Sequence, residues 1–325
     1  MNTLFYEPYI SKRTPLILFL MSIGAGATCF IFGDIALPLC IATLAALFLF
    51  DSSKLKIFSI LASVLVLAIN ALSIIFGLGF SFFGPSAVII ALVICISYFA
   101  KHNKSDGALL STLICGCFLI LGYALLAMLA KDTYTVEAVI EFYSHLAEMT
   151  KSMFVDIFSK VYNTYETIIE PEMLAEIIDM QFYMVLSYVF ILAFLFVGVG
   201  YKFFSLIVRI CSANREDIGL WRFEVSNLFA YSYVVLSFAI IFINSFDNFY
   251  FVAVYNLYNI FMVLFAYIGF KALVYLLNKK FNKAISILMI IGALVTFTSL
   301  ASQLLALVGV IYTIRKNNEA RLNVV

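Results

Sequence analysis

The sequence predicts an all-α fold: a polytopic transmembrane helical bundle of about nine membrane segments, with an amphipathic extracytoplasmic helical insert. Three observations predict it. Hydrophobic residues make up 64% and charged residues 12% of the 325 positions, against about 45–50% and about 25% in soluble domains. Apolar runs close to the ~20 residues of a spanning helix recur along the chain. Lys and Arg gather in alternate loops, as the positive-inside rule requires.

Taken in order, the runs are Pro15 to Phe32, Ile35 to Phe50, Ile57 to Phe80, Ser86 to Ala100, Ala108 to Ala130, Phe182 to Tyr201, Val225 to Ile243, Phe249 to Leu277 and Ala284 to Ile314. Gly33-Asp34 ends the first, and Phe83-Gly84-Pro85 cannot continue a helix into the fourth. The first run follows Lys12 and Arg13 as a signal peptide would, but its apolar sequence continues to Phe32, so it reads as a retained anchor. In this division 1–14 is a cytoplasmic N-terminal tail and 15–130 holds segments one to five. The insert is 131–181. Segments six to nine fill 182–314 around a cytoplasmic loop at 202–224, and 315–325 is a basic tail.

Orientation follows from charge. Lys12/Arg13, Lys54/Lys56, Lys101/Lys104, the set Lys202, Arg209, Arg215 and Arg222, and Lys279/Lys280/Lys283 fall on one side, which makes the amino terminus cytoplasmic. The opposite loops at Gly33-Asp34, Ser81 to Pro85 and Asn244 to Asn248 hold no Lys or Arg. Nine spans would leave Arg315, Lys316 and Arg321 outside, against the rule. The last run is long and its middle, Thr296 to Gln303, is polar. A single tilted helix with an external tail and a pair of half-helices that folds back both remain open.

The insert carries ten acids against three lysines, a local balance of −7. Val136, Ile140, Tyr143, Ala147, Phe154, Ile157, Val161, Tyr165 and Ile168 recur at steps of about three or four, the pattern of an amphipathic helix. Pro171 suits the first turn of a following helix. The segment is either a lid over the bundle mouth or a packed connector. Glu137, Glu141, Glu148 and Asp156 look like its solvated face, and His145 reads as a surface or packing residue.

Catalytic motifs are missing from the sequence: no HExxH, no GxSxG, no paired intramembrane carboxylates and no GxxxxGK[ST]. The expectation is a non-enzyme with no cofactor and no metal site. The net charge of +1 gives no field to attract nucleic acid. Cys29, Cys40, Cys95, Cys115, Cys117 and Cys211 show no metal-binding spacing and read as small hydrophobes.

Polar groups at bilayer depth are therefore the functional candidates. Asn70 lies mid-run. Asn256 and Asn259 share one face of the eighth run, roughly 10 to 15 Å below its outer end, flanked by Tyr255 and Tyr258. With Gln303 these outline an uncharged, aromatic pocket for a small neutral or aromatic solute. The bland alternative is interhelical hydrogen bonding, worth about 0.6 kcal/mol each. Lys271, near the cytoplasmic end, is expected to snorkel. Ser22 and Gly26 belong to a small-residue stripe that permits close helix approach, either within the chain or to a partner subunit. Trp221, the one tryptophan, and Arg222 form an interfacial anchor to the lipid bilayer or a docking point for a cytoplasmic partner.

The stretches GLWRFEVSNLFAY, NLYNIFMVLFAYIGFKALVYLLNKK and LLALVGVIYTIRKN resemble the YybS-like family, bacterial multipass membrane proteins classed as a domain of unknown function. Trp221 and Arg222 match its Trp-Arg element, Gly269 and Gly309 match its later glycines, and Glu224 stands where proline is common. The family is distantly similar to the substrate-binding membrane subunits of energy-coupling-factor importers. That resemblance implies a bundle in the bacterial cell membrane that captures a solute outside and relies on a separate ATPase module and a membrane coupling subunit. The alternative expectation is a non-transport membrane scaffold or regulator of cell-envelope proteins.

Overall fold

A computed structural model describes residues 13–53, 55–75, 84–101, 107–130, 184–211, 225–242 and 249–322, together with 135, 137, 138, 141, 144, 145, 148, 152, 156 and 160. Among these residues every regular element is helical: α1 (Thr14–Phe32), α2 (Leu37–Phe50), α3 (Ile57–Ile75), α4 (Gly84–Lys101), α5 (Gly107–Ala130), α6 (Val185–Cys211), α7 (Asn227–Phe242), α8 (Phe249–Leu277) and α9 (Lys283–Leu322). Each matches one apolar run of the sequence. Three stretches are long and apolar enough to cross a membrane, Thr14–Phe50, Leu186–Cys211 and Phe251–Leu277. Ile31, Ile210, Leu228, Val235 and Ile241 are all more than 60% exposed, a surface that suits lipid rather than water.

The chain divides into two compact units, Met1–Phe142 with Leu192–Glu224, and Tyr143–Ile191 with Val225–Val325. In the first, α2 is central. Its sequence LPLCIATLAALFLF is apolar on every side, and Leu37 and Cys40 through Leu47 are buried; a helix with no polar face has to be surrounded. Pro38 stands in its first turn, where a missing N–H costs nothing. A 3₁₀ turn, Gly33–Ala36, reverses the chain between α1 and α2; Gly33 takes φ +63°, a conformation that a side chain would strain. The reversal sets Cys29 against Cys40 in side-chain contact, both buried, in keeping with their reading as small core residues. α1, α3 and α4 pack on α2, and Gly200 of α6 approaches Ile41.

Ser22 and Gly26 turn inward in this unit. Ser22 is fully buried with its hydroxyl donating to Leu18 O at 2.8 Å, and a Cβ on Gly26 would lie 2.9 Å from Val66 Cγ2. Gly26 thus packs against α3 of the same chain, the within-chain side of the two expectations for this stripe.

In the second unit α7 and α8 are antiparallel neighbours joined by an aromatic ladder. Tyr233 stacks on Tyr258 with ring centres 5.5 Å apart, Phe229 meets Phe261 edge-on at 5.7 Å, and Tyr233 also reaches Phe265. At Gly269 and Gly309, α8 and α9 meet backbone to backbone. A Cβ built on Gly269 would fall 1.9 Å from Leu305 O, and one on Gly309 would fall 2.0 Å from Phe265 O. The two glycines singled out by the family resemblance are therefore where two helices meet with no side chain between them.

Of the insert, the described residues Glu137, Glu141, Ser144, His145, Glu148, Ser152, Asp156 and Lys160 are helical and exposed, which is the polar face that the sequence predicts. Thr135 caps this helix, its hydroxyl accepting from the Ala138 N–H at 3.2 Å. The nine residues of the apolar stripe, Pro171, Trp221 and Arg222 lie outside the described residues.

Candidate functional site

The second unit brings Asn256 and Asn259 together as the i, i+3 spacing requires, but gives them different work. Asn256 is buried, and both ends of its carboxamide are engaged. Its Oδ1 accepts the Ser187 backbone N–H at 2.9 Å, and its Nδ2 donates to Val252 O at 2.9 Å. Ser187 stands in the first turn of α6, where backbone N–H groups have no partner within the helix. Asn256 is therefore a cap supplied from a different helix. The Ser187 hydroxyl donates to Met184 O at 2.8 Å and closes the same turn.

Asn259 is half-buried, one turn further along α8. Among the described residues its carboxamide meets one partner: Nδ2 lies 3.6 Å from Met184 Sδ. A thioether is a weak acceptor, so among the described residues most of the hydrogen-bonding capacity of this amide is unused. Tyr255 and Tyr258 neighbour the pair along α8. Tyr255 stacks on Phe251 at 5.5 Å and lies 6.2 Å from Tyr258, which in turn stacks on Tyr233. The result is a half-buried amide on a tyrosine-rich stretch of α8 next to a capped helix start, an arrangement that offers hydrogen bonds and aromatic surface.

The other two candidates stand apart. Asn70 belongs to the first unit, where it is fully buried with Nδ2 donating to Val66 O at 2.8 Å. Gln303 is exposed on α9, and among the described residues it does not meet Asn256 or Asn259. Lys271 is exposed, with its ammonium 4.5 Å from the centre of the Tyr267 ring.

Sequence reading missed two polar clusters in the first unit. In the loop between α2 and α3, Asp51 is 1% exposed and accepts four hydrogen bonds: Ser53 N at 3.1 Å, Ser53 Oγ at 2.6 Å, Ser59 N at 3.0 Å and Ser59 Oγ at 2.9 Å. Burial works against its ionisation, but the bonds from Ser53 and Ser59 outweigh it and hold the carboxyl below the ordinary aspartate value. Ser53 Oγ accepts from Ile57 N at 2.9 Å, and the Lys56 ammonium caps the end of α2 by donating to Phe48 O and Asp51 O. Lys56 itself adopts φ +50°, unusual for a side-chain-bearing residue. The signal was the DSSKLKIFS string, in which one acid is followed by serines two and eight residues on.

The second cluster joins three helices. Ser97 Oγ and Ser111 Oγ are 2.8 Å apart and buried, and the Tyr201 hydroxyl engages both. Tyr98 and Tyr201 pack edge-on against Phe204 at 5.6 and 6.3 Å. These bonds satisfy hydroxyls that lipid cannot. Among the described residues no group of three His, Cys, Asp or Glu side chains is placed to hold a metal ion.

No protein-family model, no curated protein and no solved structure matches this chain. The class that fold and composition define is a helical, membrane-associated protein.

Proposed function

We propose that the protein is a small-solute-binding, transport-associated bundle of about nine membrane segments in a bacterial cell membrane, with a cytoplasmic amino terminus. The observation that carries this reading is the half-buried Asn259 carboxamide, on the same helix as the neighbouring Tyr255 and Tyr258, with only a thioether as partner among the described residues. Asn256 holds the start of α6 in place and so preorganises the face beside it. The solute is neutral and planar or aromatic, since the site offers an amide and ring faces rather than charge. The resemblance to the YybS-like family supports an importer-type role in which a separate ATPase module and a membrane coupling subunit supply the energy, with Trp221 and Arg222 at the contact.

The test is native mass spectrometry of the protein purified in mild detergent. A co-purifying small molecule is expected in the wild type, absent from Asn259→Leu and present in Asn259→Gln. A wild-type protein that is empty and recovers no ATPase partner on pull-down would sink the reading. Recovery of cell-envelope growth or division proteins instead would favour the scaffold alternative.

A further inference from the structure

We infer that residues 315–322 lie on the same face of the membrane as the start of α7 at Val225 and Asn227, so that the chain between Lys283 and Asn317 crosses the bilayer an even number of times. Three hydrogen bonds tie the polar end of α9 to the start of α7. Asn317 Nδ2 donates to Val225 O at 2.9 Å and to Asn227 Oδ1 at 2.9 Å, and Asn227 Nδ2 donates to Asn318 Oδ1 at 3.2 Å. Val225 is buried, so its carbonyl needs such a partner. It also directly follows the loop that carries Arg215 and Arg222.

Position along the helices points the same way. α7 runs antiparallel to α8, so its start lies toward the carboxy-terminal half of α8. From the glycine contact, α8 has eight residues to Leu277 and α9 has eight to Asn317, about 12 Å each at 1.5 Å per residue. With both ends on one face, Lys279, Lys280, Lys283, Arg315, Lys316 and Arg321 collect there. The opposite direction would carry Arg315 and Lys316 toward the level of Asn259, into the hydrocarbon, where charged groups are rare. Arg315 is instead highly exposed and pairs with Glu319 at 2.8 Å.

The inference removes the exception to the positive-inside rule that nine single crossings create. A straight α9 would carry Gly309 about 39 Å from Lys283, yet Gly309 meets Gly269, only about 12 Å before the end of α8, so α9 bends back on itself. Its polar stretch from Thr296 to Gln303 is the part suited to turn back toward the same face. None of this depends on the solute-binding reading.

The experiment is cysteine labelling in whole cells, with Cys117 and Cys211, the two cysteines that are not buried, replaced by serine. Glu319→Cys and, as a second reporter, Lys316→Cys are compared with Lys280→Cys and with Ser245→Cys between α7 and α8. A membrane-impermeant maleimide is applied before and after permeabilisation. Residues 316 and 319 are expected to label together with 280 and opposite to 245, whichever face proves cytoplasmic. Labelling of 316 and 319 together with 245 overturns the inference.

Discussion

The contact between Gly269 and Gly309 gives the most exacting prediction. A methyl group on Gly269 would start 1.9 Å from Leu305 O, whereas carbon and carbonyl oxygen rest at about 3.3–3.6 Å. The obstacle is helix backbone, which cannot rotate aside, so α8 and α9 must separate by about 1.5 Å. A gap of 0.5–1 Å already forfeits about a quarter to a half of each dispersion contact. Gly269→Ala should therefore cost about 3 kcal/mol or more, at or beyond the upper end of ordinary overpacking. At about 2–4 °C per kcal/mol, the thermal midpoint falls by roughly 6–12 °C. Gly309→Ala meets Phe265 O at 2.0 Å and should cost as much. Because either substitution forces the same separation, the double variant should cost about as much as one of them alone. The assay is thermal stability in detergent, read as the monodisperse fraction of a fluorescent fusion. Gly24→Ala and Gly292→Ala, which meet nothing within 4 Å, serve as controls and should hold or raise the midpoint. If Gly269→Ala melts with these controls, or if the two substitutions add fully, the backbone contact is not what holds α8 to α9.

Four further outcomes are expected. Asn256→Leu should lower stability by about 1–2 kcal/mol, because it leaves the first turn of α6 without its cap, while Asn259→Leu leaves the thermal midpoint nearly unchanged; equal losses would contradict the division of labour between them. Asp51→Asn should cost about 2 kcal/mol through loss of charge-assisted hydrogen bonds, measured by thermal unfolding at neutral pH. Since its folded-state pKa is depressed, the Asp51 contribution is fully present above the ordinary aspartate value near 3.8 and is lost as pH falls through the lower folded value; the wild type and Asp51→Asn should therefore converge in stability only in that acidic window. Gly26→Ala should destabilise, and Val66→Ala should relieve part of that cost, because the added carbon meets the end of a side chain rather than backbone; an additive double variant would refute the contact.

The helices were legible in the sequence as long apolar runs, although α6 continues ten residues past Tyr201 to Cys211 and α9 eight past Ile314 to Leu322, because a helix can extend beyond its apolar part into polar sequence. The polar face of the insert was equally legible, since Glu137, Glu141, Glu148 and Asp156 recur at helical spacing. The asparagine pair was half legible. Spacing put Asn256 and Asn259 on one face, but Ser187 stands 69 residues before Asn256, and nothing local announces that one amide would cap it. The Asp51 cluster went unread because attention rests on charges at membrane depth, and this one sits in a tight loop. Spacing marked Ser22 and Gly26 as residues that permit close helix approach, but not that Val66 of α3 is what approaches Gly26.

By itself, the sequence determined the helical class of this protein, the apolar surface that suits a membrane and the order of its helices, because each of these depends on composition and on spacing along one element. Tertiary structure alone decided which polar groups are consumed and which remain available. It joined Asn256 to Ser187, left Asn259 facing a thioether, set Gly269 on Gly309 and tied Asn317 to the start of α7. Those outcomes depend on pairs of residues distant in the chain, and hydrogen bonds and close packing exist only once both partners are in place.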